Sequence, residues 1–93
     1  MNLLELIKIT NGTLIRKSRE KEIKNIKVDS REIEKGDVFL AVSSGHNYIE
    51  EAVKKGASVL IVDRDIEIYK KVNIIKVIDS IEALQILGHY IRE

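Results

Sequence analysis

Apolar positions along the chain follow two spacings. Leu3, Leu4 and Ile7 recur as on one face of a helix, and Thr10-Asn11-Gly12 would end that helix at a glycine free to turn left-handed. Thr13-Leu14-Ile15-Arg16 then reads as a short strand. Lys17-Ser18-Arg19-Glu20-Lys21-Glu22 has no apolar face and mixes both signs of charge, so it predicts a solvated turn. A strand is expected over Ile23 to Val28, where Ile26 and Val28 alternate with polar residues. Val38-Phe39-Leu40-Ala41-Val42 and Ser58-Val59-Leu60-Ile61-Val62 are continuous apolar runs, which strands show when both faces are covered, and such strands are usually parallel. Between them Tyr48, Ile49, Ala52 and Val53 have helical spacing, closed by Lys54-Lys55-Gly56. The result is a strand-helix-strand crossover, expected to be right-handed. Asn73 to Val77 predicts a further strand. Asp79 and Glu82 then sit at the two positions of a capping box, opening a helix whose buried stripe would be Ile81, Leu84, Leu87 and Ile91. Gly88 reads as a close-packing point, and the chain should end within this helix.

These elements define an α/β class: a small three-layer domain with a mostly parallel sheet core and flanking helices, one domain over residues 1–93. A chain of 93 residues buries about 60–70% of the surface its unfolded form exposes, which suffices for a core without staples. It has no cysteine, and His46 and His89 lie far apart in sequence, so neither disulfides nor a dedicated zinc site is expected. Sixteen Lys and Arg against fifteen Asp and Glu leave +1, too little to recruit nucleic acid or an anionic membrane. One Phe and three Tyr make a poor stacking platform for single strands. The opening residues mix charge into their apolar run, and no stretch approaches the ~20 apolar residues of a membrane span. The chain therefore reads as cytoplasmic, with no nucleic-acid or membrane partner.

In parallel sheets ligands gather beyond the carboxyl ends of the strands. Here that edge holds Ser43-Ser44-Gly45-His46-Asn47: two hydroxyls, a glycine that permits close approach, and a helix start. It suits a phosphate or another anion, unless Ser44 only caps the helix. Asp29-Ser30-Arg31 leaves the preceding strand and has two readings. Asp and Arg could satisfy one another in a corner before the Glu34-Lys35-Gly36-Asp37 turn, or Ser30 and Arg31 could face a ligand. Asp63-Arg64-Asp65 either joins this rim or solubilises a loop. His46 lacks a neighbouring nucleophile and orienting carboxylate, so a hydrogen-bonding role is expected, and His89 reads as a surface residue. No Gly-Lys phosphate loop, dinucleotide fingerprint or magnesium-type carboxylate cluster occurs, and the chain alone is expected to catalyse nothing.

The order Val28-Asp29-Ser30-Arg31, Gly36-Asp37-Val38-Phe39-Leu40-Ala41, Gly45-His46-Asn47-Tyr48-Ile49 and Lys55-Gly56-Ala57 resembles the amino-terminal domain of the Mur ligases. Those ATP-dependent enzymes add amino acids to UDP-N-acetylmuramic acid in peptidoglycan synthesis. Within the family the resemblance is greatest to the branch that adds D-alanyl-D-alanine, followed by the branch that adds the third residue. It implies that this domain grips the UDP end of UDP-N-acetylmuramoyl-peptide, with Ser30, Arg31, His46 and Asn47 lining the pocket. The expected substrate-binding set is thus Ser30, Arg31, Ser43, Ser44, Gly45, His46 and Asn47, with no catalytic or metal residue. ATP and magnesium would belong to a central domain of the parent ligase, a partner of this one. Two features depart from the family: only Ser43-Ser44 stands where members carry a longer loop, and the chain stops where they continue. The alternatives are an excised domain or a free-standing interaction module that has lost nucleotide binding.

Overall fold

The computed structural model describes residues 1–18, 23–68 and 70–91. A five-stranded sheet has the order β1 (Thr13–Arg16), β5 (Asn73–Lys76), β4 (Val59–Val62), β3 (Val38–Leu40) and β2 (Ile26–Lys27). β1 is antiparallel to β5, and the four strands β2 to β5 are mutually parallel. In register, Phe39 faces Leu60 and Leu60 faces Ile74, so large aliphatic and aromatic side chains stack across the central strands. Because strand residues alternate between faces, the continuous apolar runs feed two cores. On one side Val38, Leu40, Val59, Ile61 and Ile75 pack with Leu3 and Leu6 of α1 (Leu3–Thr10) and Ala83 of α3 (Ser80–Ile86). On the other, Phe39, Ala41, Leu60, Val62 and Ile74 pack with Ile49 and Ala52 of α2 (Ile49–Lys54). The three-layer α/β expectation holds.

Several local expectations do not. The Ile23–Val28 strand is only Ile26–Lys27, since Lys24 and Asn25 bond around Gly36 and Asp37 instead of extending the ladder. The left-handed residue after α1 is Asn11, at φ 54°, whose amide pair tolerates that region, and not Gly12. Gly12 is required for space: a Cβ there would sit 2.5 Å from Ile75 Cγ2. The buried face of α1 is Leu3, Leu6 and Thr10, leaving Leu4 exposed. The capping box lies at Asn2 and Glu5, while α3 is capped by the Asp79 side chain alone. In α3 the buried positions are Ser80 and Ala83, followed by Leu87; Ile81 is exposed, and Gly88 meets no neighbour. That helix ends at Ile86, and a 3-10 turn over Gly88–Tyr90 leads to Ile91, which bridges to Ile26. From residue 19 onward the expected turn over 17–22 lies outside the described residues.

Two glycines shape the end of the sheet opposite the strand exits. Gly36 and Gly56 have φ 93° and 108°, and Gly36 N–H donates to the Gly56 carbonyl at 2.9 Å. This contact ties the turn before β3 to the end of α2. Beside it Asp37 is almost fully buried, taking the Lys27 ammonium at 2.8 Å and the N–H groups of Glu34 and Asn25. Burial pushes the Asp37 carboxyl up, but the Lys27 ammonium and the two N–H donors outweigh it and hold the group below the usual carboxylate range.

Candidate functional site

Because β2 and β3 are parallel neighbours, both polar exits leave the sheet at the same edge. β2 runs through Val28 into a 3-10 turn over Ser30–Glu32, and β3 into a 3-10 helix over Ser43–Tyr48 that continues into α2. The space between them is a cavity of about 480 Å³. Val28, Asp29, Ser30 and Arg31 line it from one exit, Val42, Ser44, Gly45 and Tyr48 from the other, with Phe39 from β3 and Glu51 from α2. Val28, Phe39 and Val42 supply apolar surface. Gly45 brings backbone to the Phe39 ring: a Cβ there would lie 3.9 Å from its Cζ.

Of the residues expected from sequence, Ser30, Arg31, Ser44 and Gly45 come together in this cavity, whereas Ser43, His46 and Asn47 do not line it. Asp29 and Arg31 adopt the mutually satisfied corner. Asp29 accepts from the Arg31 backbone N–H at 2.9 Å, and its two oxygens accept from Nε and Nη2 of the guanidinium at 3.0 and 2.8 Å. The Arg31 side chain and its backbone N–H hold the Asp29 carboxyl down at about 2. Ser30 lies between them in the chain, yet is buried, and its hydroxyl donates to the Glu51 carboxylate. Of the two readings of the Asp-Ser-Arg step, the mutually satisfied corner is thus present, formed by Asp29 and Arg31. The cation closes on its neighbour while the serine turns into the cavity.

Neither serine of Ser43-Ser44 caps the helix, which begins at Val42 without a side-chain cap. Ser43 has φ 49°, the left-handed region that a non-glycine residue occupies at some cost. The His46 ring holds this turn. Its Nδ1 lies 2.8 Å from the Ser43 carbonyl, which only accepts, so Nδ1 carries the proton, and Nε2 accepts from the Asp63 N–H at 3.2 Å. With its side chain 5% exposed and both nitrogens engaged, His46 positions the loop from beneath. Asp63 contacts His46, Arg64 and the Ser80 N–H, and Asp65 pairs with Lys76, so the Asp63-Arg64-Asp65 segment braces this edge without lining the cavity. His89 is exposed.

Sequence reasoning missed Val28, Phe39, Val42, Tyr48 and Glu51 as cavity residues. One signal for Glu51 was available: it stands one helical turn after Tyr48, on the helix that follows the Ser43 loop.

The sequence profile described as "Mur ligase family, catalytic domain" matches residues 22–91. The UDP-N-acetylmuramoyl-L-alanyl-D-glutamate–2,6-diaminopimelate ligase of Clostridium perfringens is 40% identical over 92 residues, covering 95% of this chain and 19% of that protein. The UDP-N-acetylmuramoyl-tripeptide–D-alanyl-D-alanine ligase of Rickettsia prowazekii is 42% identical over 71 residues, covering 73% of this chain and 16% of that one. Among solved structures, MurF from Acinetobacter baumannii superposes with a TM-score of 0.79 at 33% identity, covering 96% of this chain and 20% of that one. The chain thus spans about a fifth of the length of the relatives it matches.

Proposed function

Since this chain belongs to the Mur ligase family, we propose that it holds the uridine-diphosphate end of UDP-N-acetylmuramoyl-peptide in the cavity between the β2 and β3 exits. The observation that carries this reading is the convergence of the Asp29-Ser30-Arg31 and Ser44-Gly45 segments on one cavity in a chain of that family. Val28, Phe39 and Val42 give a nucleobase or sugar an apolar wall, and Arg31 at the mouth offers a cation to the phosphates. In this reading the chain binds and orients substrate and does no chemistry alone. The two neighbouring histidine nitrogens and the Asp29 carboxylate are committed to holding the loops.

ATP and magnesium, which the family implies, find no fitting donors here. The described residues bring no three His, Cys, Asp or Glu side chains together for a metal, and the sequence has no Gly-Lys phosphate loop. We assign both to the remainder of a parent ligase of the MurF type or the MurE type. The solved MurF structures support the first and the clostridial relatives the second. Among the described residues no helix is long and apolar enough to cross a membrane.

Titrating the chain with UDP-N-acetylmuramoyl-tripeptide while following amide chemical shifts tests this. Ser30, Arg31 and the Ser43–Asn47 segment should shift together and saturate. No perturbation there at millimolar ligand would overturn the proposal.

A further inference from the structure

Glu51 lies in none of the residues expected from sequence to bind substrate, yet it lines the cavity and takes the Ser30 hydroxyl. A carboxylate only accepts, and a hydroxyl has one proton to give, so Ser30 donates to Glu51 and offers the cavity lone pairs alone. The other Glu51 oxygen has no hydrogen-bond partner among the described residues. Asp29, the second carboxylate of the cavity, is already covered by Arg31. This wall is therefore an array of acceptors set against the apolar surface of Val28 and Phe39. Phosphate oxygens are acceptors too and are repelled by it. A neutral, flat group bearing an N–H or O–H fits.

Building on the uridine reading above, we propose that Glu51, with Ser30, is the specificity determinant that recognises the nucleoside through its own donors. Those donors are the imide N–H of the uracil ring or the ribose hydroxyls. The nucleoside then lies inward against α2, and the diphosphate points outward to Arg31, whose guanidinium is largely solvent-exposed. Lys55, whose Nζ donates to the Arg31 carbonyl at 2.9 Å, adds a second cation on that side.

Calorimetric titration of the 93-residue chain with UDP, 3-methyluridine diphosphate and 2′-deoxyuridine diphosphate tests this. One lost charge-assisted hydrogen bond corresponds to roughly a tenfold loss of affinity. The unaltered protein should therefore bind at least one analogue about tenfold more weakly than UDP: the methylated base if the imide is read, the deoxy sugar if the ribose is. Glu51→Ala should bind UDP and that analogue equally weakly. Glu51→Gln retains an acceptor oxygen and should keep part of the preference. If the Ser30–Glu51 bond served only to fasten the 3-10 turn to α2, either variant would lower Tm and leave the UDP-to-analogue ratio unchanged, which overturns the proposal. Equal binding of all three ligands by the unaltered protein overturns it as well. Absence of any UDP binding would instead remove the uridine reading itself, and this inference with it.

Discussion

Asp29 shows how a single side chain can both fasten a corner and line a cavity. Its carboxylate closes on Arg31 through backbone and guanidinium donors, and those bonds lower its ionisation to about 2. A depressed acid contributes stability that is fully present above its unfolded pKa of about 3.9 and is lost as pH falls through the folded value. The corner should hold down to about pH 3 and open near pH 2. The Asp29 carboxyl carbon, followed by NMR, is expected to titrate with a midpoint near 2; a midpoint near 4 would mean that the Arg31 contact is absent in solution. Ser30 behaves differently, because its hydroxyl is buried and bonded across elements. Ser30→Ala should cost about 1 kcal/mol in chemical denaturation, the net value of one internal hydrogen bond. That such a serine sits in Asp-Ser-Arg was legible from sequence. Its partner was not, since Glu51 lies 21 residues away and meets it only when α2 packs beside the 3-10 turn.

Among the elements, those whose ends carry local chemistry followed the sequence best. The Asp79 cap on α3 and the Lys54-Lys55-Gly56 stop of α2 need only neighbours in the chain. Misreadings fall where tertiary contact chose the face: of the expected stripe Leu84, Leu87 and Ile91 pack on the core, but Ile81 is exposed and Ala83 takes its place. Gly56 combines both levels, with a left-handed φ of 108° and the Lys35 backbone 2.8 Å from where a Cβ would be. Gly56→Ala should destabilise the chain by about 2–3 kcal/mol, since strain of the backbone and a clash with main-chain atoms add. Urea unfolding measures this; a loss under 0.5 kcal/mol, the ordinary range for surface changes, would contradict the geometry.

At the level of the whole molecule, one sheet with a core on each face makes the central strands intolerant of charge. Leu40 is fully buried in the core that also holds Leu3, Leu6 and Ile61. Leu40→Asp would leave a carboxylate there without a partner, a cost of several kcal/mol set against a total stability of about 5–15 kcal/mol. The variant should lack cooperative thermal unfolding and amide dispersion; a native-like spectrum would refute this account of the core. The sequence by itself determined the class and the edge at which the polar strand exits gather, because continuous apolar runs specify strands covered twice and parallel strands send their exits the same way. Only the tertiary structure decided which residues meet there. It turned His46 beneath its loop, set Arg31 against Asp29 and brought Glu51 to Ser30. The physical reason is range: patterning and capping act over a few residues along the chain, whereas burial and hydrogen-bond partners are set by elements that become neighbours only when the layers close.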